Sequence, residues 1–249
     1  MSTLPRTGPG TKLCAVLCYA IALAGAGAFA ALVLLLGLDL WPFWVRLQEP
    51  WLVNLGWLLL FGLQHSGMAR ANFKNSCTRI IPTRLERSVY AATSGLLLLV
   101  MVFSWQPLPG VPFWRGPLVL TAVPLLAGLG LAFVNGQFDH AGLVGLRQAW
   151  QGGREPTPER LLVLGPYRYI RHPLMACLLA LLWVQAVMTP TLALLSGGLT
   201  LYVLIGVWFE ERDLLRRFGP AYAAYRQRVP ALVPWRSPAP PATYPAVQS

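Results

Sequence analysis

The sequence predicts an all-α protein, a polytopic bundle of about six transmembrane helices. Of its 249 residues, 55% are hydrophobic and only 12% are charged, about half the charged share of an ordinary soluble domain. The mean hydropathy is +0.53. With so few charges the chain cannot cover its surface with polar groups, so several apolar runs must face lipid. The composition therefore excludes a soluble globular domain and a disordered chain.

Six apolar runs account for the predicted bundle. They cover residues 13–38, 51–64, 87–106, 117–136, 172–189 and 191–209. Several of them approach the ~20 residues that cross a hydrocarbon core about 30 Å thick. The run 51–64 is shorter and needs tilt or flanking aromatic residues to cross. We expect the fifth and sixth runs to form a tight hairpin around residues 189–191, and residues 1–249 to form a single membrane domain.

The basic residues alternate along the chain in the way that the positive-inside rule predicts. Of the 20 Lys and Arg residues, 18 lie before the first span, in the loops after spans two and four, and after span six. Arg87, the first residue of the third apolar run, is counted in the loop after span two. This alternation places both termini in the cytoplasm, with the lipid bilayer as partner. We expect a multi-pass protein of a bacterial-type inner membrane. The net charge of +11 is then a topology signal, so nucleic-acid binding is not expected.

Local signals add three expectations. Thr83 and Glu86 have the T-x-x-E spacing of a capping box, which predicts that the third span begins there. The segment 237–249 contains four prolines, so we expect a flexible tail. The four cysteines form no C-x-x-C pair, so no cysteine-based metal site is expected. The sequence carries no signal for the oligomeric state.

All three histidines fall at the cytoplasmic ends of predicted spans. His65 follows span two, His140 follows span four with Asp139 beside it, and His172 opens span five. A polar residue at the end of an apolar run either caps the span at the interface or lines a pocket. Neighbouring residues of a helix face different directions, so at most one of Asp139 and His140 points into a given pocket. Haem or metal ligation by the histidines is a further alternative.

The densest polar cluster precedes span five. Gly165 and Pro166 predict a turn, and Pro173 suits the first position of a helix because its missing N–H would be unpaired there. Between them lie Tyr167, Arg168, Tyr169, Arg171 and His172. A helix N-terminus surrounded by cations favours an anionic group such as a carboxylate.

Two glutamates follow span six without a local partner. Glu210 and Glu211 each have a leucine four residues further along the helix, whereas Asp213 has Arg217 at that spacing. Unpaired carboxylates at a membrane boundary are costly. We therefore expect the two glutamates to meet loop arginines or a cationic ligand.

Two tyrosines lie beyond the predicted end of this helix. Gly219 and Pro220 predict that the helix stops, and Tyr222 and Tyr225 follow three residues apart. At that spacing the two rings share one helical face, over which a cation or an aromatic base could lie.

These motifs resemble a known group of membrane enzymes. The C-terminal half looks like the isoprenylcysteine carboxyl methyltransferase and phospholipid methyltransferase group in its runs 165–168, 171–173, 210–211 and 218–225. The N-terminal half resembles the branch that contains membrane methanethiol S-methyltransferases and NnrU-type proteins, in its runs 63–66, 86–88 and 145–148. Met175 stands where the wider group usually has a tyrosine.

The resemblance implies S-adenosyl-L-methionine as the methyl donor, bound at a site without a Rossmann fold. The residues that it implies for donor binding are Gly165, Pro166, Tyr167, Arg168, Arg171, His172, Pro173, Glu210, Glu211, Tyr222 and Tyr225. Arginines and a helix N-terminus suit the carboxylate of the donor, glutamates its ammonium or ribose hydroxyls, and tyrosines its adenine ring. The sequence has no glycine-rich dinucleotide-binding motif.

The implied activity is methylation of a small thiol, with methanethiol converted to dimethyl sulfide. Thiols titrate near ~8.5 or above, so a neighbouring base is expected to help form the thiolate. His65 is the first candidate for this base, followed by Asp139 and His140. The alternatives are a larger acceptor, such as a prenylated cysteine carboxylate or a lipid, and an NnrU-type accessory membrane protein without enzymatic activity.

Overall fold

The computed structural model of the chain describes residues 8–43, 47–136, 140–151 and 160–245. Asp139 lies outside the described residues, as does the side chain of His140. In chain order the elements are α1 (Pro9–Leu36), α2 (Pro50–Ala69), α3 (Ala71–Cys77), α4 (Glu86–Ser104), β1 (Trp114–Arg115), α5 (Ala122–Gly136), α6 (His140–Leu143), α7 (Leu146–Gln151), β2 (Arg160–Val163), α8 (Pro173–Trp183), β3 (Val187–Met188), α9 (Pro190–Arg228) and β4 (Ala242–Pro245).

The chain divides into two compact units. The first unit comprises Met1–Thr121, Phe138–Glu155 and Gln185–Leu195. The second unit comprises Ala122–Gln137, Pro156–Val184 and Ser196–Ser249. His65 lies in the first unit, and the residues that the resemblance implies for donor binding lie in the second.

The first unit is built on α1, which packs along α4, while α2 packs against another part of α4. Gly25 and Gly95 mark the crossing of α1 and α4. A Cβ atom on Gly95 would lie 2.6 Å from the Cα of Ala22, and one on Gly25 would lie 2.6 Å from the Cα of Gly95. The two backbones are therefore in direct contact, as small residues permit between helices in a membrane.

The second unit brings α5 and α8 together and pairs β2 with β4. The end of α8 bonds to the following helix, because Ser196 donates to the carbonyl of Leu182 at 2.9 Å and Trp183 donates to Thr200 at 2.8 Å. Its buried apolar cluster consists of Val163, Phe218, Tyr222, Tyr225, Val229 and Ala239.

The longest helix, α9, changes direction once. Its 39 residues extend roughly 58 Å, about twice the thickness of a hydrocarbon core, so its charged part from Glu210 onward continues beyond the apolar stretch. Gly219 has φ 50° and ψ −127°, outside the helical region and accessible to glycine. Pro220 follows without an N–H group. The predicted stop is thus a kink, after which the helix resumes as far as Arg228.

Four segments of the described chain are long and apolar enough to cross a membrane: Pro9–Leu36, Glu86–Ser104, Leu118–Gly136 and Pro190–Arg228. The predicted fifth span, 172–189, contains a helix of only 11 residues, α8. The chain leaves the helix after Trp183, and Val187–Met188 pairs antiparallel with Trp114–Arg115. The multi-pass membrane character is confirmed, whereas six complete spans are not.

Two local expectations also differ from the structure. The capping box is wrong, because α4 begins at Glu86 with Leu85 as its N-cap and no side-chain capping bond. Glu86 instead lies 3.9 Å from the ammonium of Lys74. In the segment where the sequence predicts a flexible tail, Ala242–Pro245 forms β4 and pairs with β2.

Candidate active site

The turn before α8 docks on the chain that follows α9. Residues Gly165–Arg168 form a 3-10 turn, and His172 is the N-cap of α8. The backbone N–H groups of Arg171 and His172 donate to the carbonyls of Pro230 and Ala231 at 2.9 and 3.0 Å. The end of the turn next to α8 is therefore fixed by backbone hydrogen bonds alone.

Arg171 is the centre of an ionic network in the second unit. Its Nε donates to Glu211 Oε1 at 2.8 Å, and a terminal nitrogen also contacts that oxygen. The other terminal nitrogen donates to the carbonyls of Arg226, at 3.1 Å, and Val229. The Arg171 side chain is only 8% exposed. Its guanidinium is thus bound largely within the protein, in charge-assisted hydrogen bonds of the strong kind.

His172 bridges the two glutamates of α9. Its Nε2 lies 3.2 Å from Glu211 Oε1, and its Nδ1 lies 3.4 Å from Glu210 Oε2. Glu211 is buried and also contacts Arg226 at 3.3 Å, whereas the Glu210 side chain is 54% exposed. The network therefore consists of a buried carboxylate held by cations and an accessible carboxylate at its edge.

The charges around these groups shift two pKa values. Burial would raise the pKa of the Glu211 carboxyl, but its hydrogen bonds and charge interactions with Arg171 and His172 hold the pKa below its ordinary value. Burial and the negative charge of Glu210 raise the pKa of Tyr167 to about 12. At neutral pH Glu211 is ionised and Tyr167 is a neutral phenol.

The two tyrosines of the site lie inside the apolar cluster. Tyr225 donates its hydroxyl to the backbone carbonyl of Tyr167 at 2.7 Å. Tyr222 is 1% exposed, and its hydroxyl has no hydrogen-bond partner among the residues described here. The rings are 5.8 Å apart in an edge-on arrangement. Both rings are thus packed in the core, and stacking against an adenine ring stays a prediction.

Arg168 is the second arginine implied for donor binding. Its Nε donates to the carbonyl of Ala239 at 2.7 Å, and the N–H of Ala239 donates to the carbonyl of Arg168 at 2.9 Å. This reciprocal pair ties the 3-10 turn to the segment before β4. The structure thus brings the residues implied for donor binding together in one unit.

A second polar cluster, which we call the α2–α4 cluster, lies in the first unit. It consists of Gln64 and His65 on α2 and Tyr90 and Ser94 on α4. The Tyr90 hydroxyl lies 3.0 Å from His65 Nε2 and 3.1 Å from Nδ1. The Ser94 hydroxyl lies 3.3 Å from His65 Nδ1 and 3.2 Å from the amide nitrogen of Gln64. His65, the first candidate base, is therefore surrounded by hydroxyl groups.

Tyr90 and Ser94 are the functional candidates that sequence reasoning missed. The signal was present, since they stand four residues apart in the apolar run 87–106 and so share one helical face. Asp139 and the His140 side chain lie outside the described residues and stay predictions. In the part of the chain that the structure describes, no three His, Cys, Asp or Glu side chains are grouped as metal ligands.

Comparison with known proteins identifies the family. The NnrU protein family model matches residues 54–236. Methanethiol S-methyltransferase 2 of Bradyrhizobium diazoefficiens is 39% identical over 196 residues, which cover 76% of this chain and 75% of that protein. The methanethiol S-methyltransferase of Mycobacterium tuberculosis is also 39% identical over 196 residues, covering 74% and 78% of the two chains.

A relative with a different name also matches. Nurim of Homo sapiens is 32% identical over 178 residues, which cover 65% of this chain and 66% of that protein. No solved structure matches the chain. The family match spans most of α2 and all of α3 to α9, and it includes both polar clusters. The chain belongs to the NnrU family.

Proposed function

We propose that this protein is an S-adenosyl-L-methionine-dependent methyltransferase of the bacterial inner membrane that methylates a small thiol, converting methanethiol to dimethyl sulfide. Relatives that share 39% of their residues over three quarters of the chain are named methanethiol S-methyltransferases. The observation that carries the proposal is the accessible Glu210 carboxylate at the edge of the fixed network of Arg171, His172 and Glu211.

The donor site is proposed to use the groups of this network that remain accessible. When bound, the donor supplies a sulfonium whose methyl group a thiolate can attack. Glu210 is more than half exposed and suits the ammonium or ribose hydroxyls of the donor. The buried Tyr222 hydroxyl lies within the electrostatic reach of the Arg171 guanidinium and makes no hydrogen bond of normal geometry among the described residues. The exposed Glu210 carboxylate is therefore the feature of this network that fits a bound molecule.

The carboxylate of the donor needs a different partner from Arg171. Because Arg171 donates to Glu211 and to two backbone carbonyls, it holds the network together. Arg168 uses its Nε for Ala239, and its terminal nitrogens are the better candidates for a carboxylate. The N-terminus of α8, which begins at Pro173, adds the positive end of a helix dipole.

The thiol is proposed to lose its proton to a base of this chain before it accepts the methyl group. A thiolate is the nucleophile in such transfers, and at neutral pH a free thiol is mostly protonated. His65 is the first candidate, and Asp139 and His140 are the others. The alternative acceptors are larger: a prenylated cysteine carboxylate or a lipid. They would apply if the base and the donor site are present but the protein does not methylate a small thiol.

Headspace gas chromatography over the purified full chain in detergent tests this function. With S-adenosyl-L-methionine and methanethiol supplied, we expect dimethyl sulfide from the wild type. Glu210→Gln should weaken donor binding, measured by calorimetry, about tenfold, which corresponds to ~1.4 kcal/mol. The matched control is Asp213→Asn, an exposed carboxylate on the same helix that pairs with Arg216 at 3.0 Å and should leave binding unchanged.

Three outcomes separate the alternatives. Dimethyl sulfide formation with weaker binding in Glu210→Gln supports both the activity and the site. Donor binding without product points to a methyltransferase with another acceptor. The absence of both binding and product contradicts the proposal and favours the accessory-protein role.

A further inference from the structure

Three loop segments of the first unit are bonded to one another near the end of α1, on the side that the positive-inside rule predicts to be external. These segments, which we call the external cap, are residues 37–43, 105–116 and 185–191. The N–H of Val187 donates to the carbonyl of Gly37 at 2.9 Å, and the N–H of Leu108 donates to the hydroxyl of Thr191 at 2.9 Å. The pairing of β1 with β3 adds a third connection. The three segments therefore form one braced structure.

A cavity of about 250 Å³ lies at the external cap. Ligand pockets in proteins usually measure about 300–1,000 Å³, so this cavity has room for a small polar group rather than for a large molecule. Its lining combines apolar side chains, such as Leu36 and Leu108, with the charged side chains of Asp39 and Arg115. All the lining residues belong to the first unit, so the cavity lies within one compact part of the chain.

One hydrogen-bond donor of the lining lacks an acceptor in the described part of the chain. Trp41 lines the cavity, and its indole nitrogen is buried without a partner among the described residues. By contrast, the indole of Trp114 in the same cap donates to the carbonyl of Gln185 at 3.1 Å. An indole N–H can only donate, and a buried donor without an acceptor is costly. A ligand that brings an acceptor atom would therefore be favoured beside Trp41.

The threonines at the start of α9 supply further donors. Thr191 accepts a hydrogen bond from the N–H of Leu108, and Thr189 accepts one from the N–H of Leu192 at 3.2 Å. Because each hydroxyl oxygen accepts, its own proton remains available for donation. Both threonines line the cavity, beside the positive end of the α9 dipole. The lining thus favours an anionic group with several acceptor oxygens.

Arg115 supplies the positive charge that an anionic group requires. One of its terminal nitrogens donates to Asp39 at 2.7 Å, and the two side chains are 59% and 45% exposed. A guanidinium has five N–H donors in a planar fork, so one bond to Asp39 leaves others for the oxygens of a phosphate. The backbone of Arg115 is fixed opposite Val187 in the β1–β3 pair. Arg115 can therefore bind a phosphate while it keeps its bond to Asp39.

Exposed apolar side chains adjoin this polar lining along the chain. Leu40, between two lining residues, is 64% exposed, and Val111, between two others, is 82% exposed. Phe113 is 67% exposed. Apolar side chains exposed in this way mark surfaces that bind membranes or apolar ligands. A molecule with an anionic head and apolar chains satisfies both the cavity and these side chains.

We propose that the cavity binds the phosphate of a membrane phospholipid through Arg115 and the indole N–H of Trp41. The acyl chains of the lipid lie along the exposed apolar side chains of the external cap. The site contains no residue that the proposed function uses, so the two proposals can fail independently. A lipid bound there attaches the external cap to the membrane surface and stabilises the first unit, since a ligand that binds only the folded state raises its stability.

Native mass spectrometry of the full chain in detergent measures this binding, with phosphatidylglycerol as the probe. We expect the wild type to retain one phosphatidylglycerol molecule. Arg115→Gln should weaken its binding about tenfold or more, because charge-assisted hydrogen bonds to the phosphate are lost. Trp41→Phe keeps an aromatic ring and removes the N–H, so we expect a smaller loss of about two- to tenfold. The matched control is Trp51→Phe, which should bind like the wild type, since Trp51 lies outside the lining and donates to Glu49 at 3.2 Å.

Asp39→Asn separates a phosphate site from a merely structural ion pair. Asp and Asn both tolerate the left-handed backbone of this position, φ 61°, so the variant removes the charge and keeps the turn. Arg115→Gln and Asp39→Asn break the same exposed pair, so both should have small effects on thermal unfolding without lipid. Added phosphatidylglycerol should raise the unfolding midpoint of the wild type and of Asp39→Asn, but not that of Arg115→Gln.

Two further probes identify the part of the lipid that is recognised. Diacylglycerol with the same acyl chains lacks the phosphate, and inorganic phosphate lacks the chains. We expect neither to bind the wild type as tightly as phosphatidylglycerol does. Diacylglycerol binding of equal strength, or displacement of the lipid by an equal concentration of inorganic phosphate, would overturn the proposal. Wild-type affinity in Arg115→Gln, or equal losses of lipid binding in Arg115→Gln and Asp39→Asn, would also overturn it.

Discussion

The two polar clusters of this protein differ in the kind of interaction that holds them. In the α2–α4 cluster the groups around His65 are neutral hydroxyls and an amide, at distances of 3.0 to 3.3 Å. In the second unit, Arg171 and Glu211 are both buried and joined by charge-assisted bonds. The first unit relies on close helix packing at Gly25 and Gly95, and the second relies on paired charges.

This difference predicts that the two clusters respond differently to mutation. Neutral hydrogen bonds contribute about 0.5–1.5 kcal/mol each to stability, so the loss of one such bond has a small effect. A buried ion pair behaves otherwise, because removing one partner leaves an uncompensated charge. The neutral cluster is therefore expected to tolerate the loss of one group better than the ionic network does.

The largest effect should come from breaking the ionic network. Arg171→Met leaves the buried Glu211 without its main partner, so we expect a loss of about 3–5 kcal/mol in stability. The loss can be measured as a lower midpoint of thermal unfolding in detergent.

The control for this variant is Arg216→Met. Arg216 pairs with Asp213 at 3.0 Å, but both side chains are more than two-thirds exposed. Such exposed pairs contribute about 0–1 kcal/mol, so the midpoint should hardly move. Equal effects of the two variants would show that burial of the Arg171 pair does not matter.

A smaller effect should come from the helix crossing of the first unit. Gly25→Ala places a Cβ atom 2.6 Å from the Cα of Gly95, where neither backbone can move easily. We expect a destabilisation of about 1–3 kcal/mol, the usual cost of overpacking. Thermal unfolding in detergent measures it.

Gly27→Ala is the matched variant on the same helix. A Cβ atom on Gly27 meets nothing within 4 Å, so this variant should be neutral or slightly stabilising. A loss of stability in Gly25→Ala without a loss in Gly27→Ala would show that the first unit depends on close packing of its helices rather than on paired charges. Similar losses at both positions would contradict the close crossing.

The smallest effect should appear as a pH dependence confined to the ionic network. The pKa of Glu211 in the folded protein lies below its ordinary value of 4.5, so the unfolded chain binds that proton more tightly. The stabilisation is complete above about pH 4.5 and is lost as the pH falls through the folded pKa. Unfolding midpoints measured on both sides of pH 4.5 should fall more steeply in the wild type than in Glu211→Gln. Parallel curves would exclude Glu211 as the source.

The sequence predicts those parts of the fold that depend on composition over many residues. The apolar runs locate α1, α4 and α9, because about twenty lipid-facing residues leave a clear pattern. The early end of α8 is not predictable in this way. It depends on the pairing of Val187–Met188 with Trp114–Arg115, a contact between strands of two residues separated by more than seventy positions. Strands this short have no periodicity to detect.

The candidate site is likewise predictable from the sequence only in part. The lack of local partners for Glu210 and Glu211 predicts that they meet loop arginines, and Glu211 does meet Arg171. The other acceptors of Arg171 are backbone carbonyls of Arg226 and Val229, and any residue type supplies a carbonyl. No sequence pattern could have shown that Arg171 is occupied by the protein itself.

The kink at Gly219 also has a consequence for how this chain can vary. Backbone angles of φ 50° and ψ −127° are open to glycine but strained for residues with a side chain, at a cost of about 1–3 kcal/mol. The residues that follow it, including Tyr222 and Tyr225, reach the apolar cluster only after this change of direction. Substitution of Gly219 is therefore restricted by its backbone angles alone. An exposed neighbour such as Arg216 can be replaced at little cost.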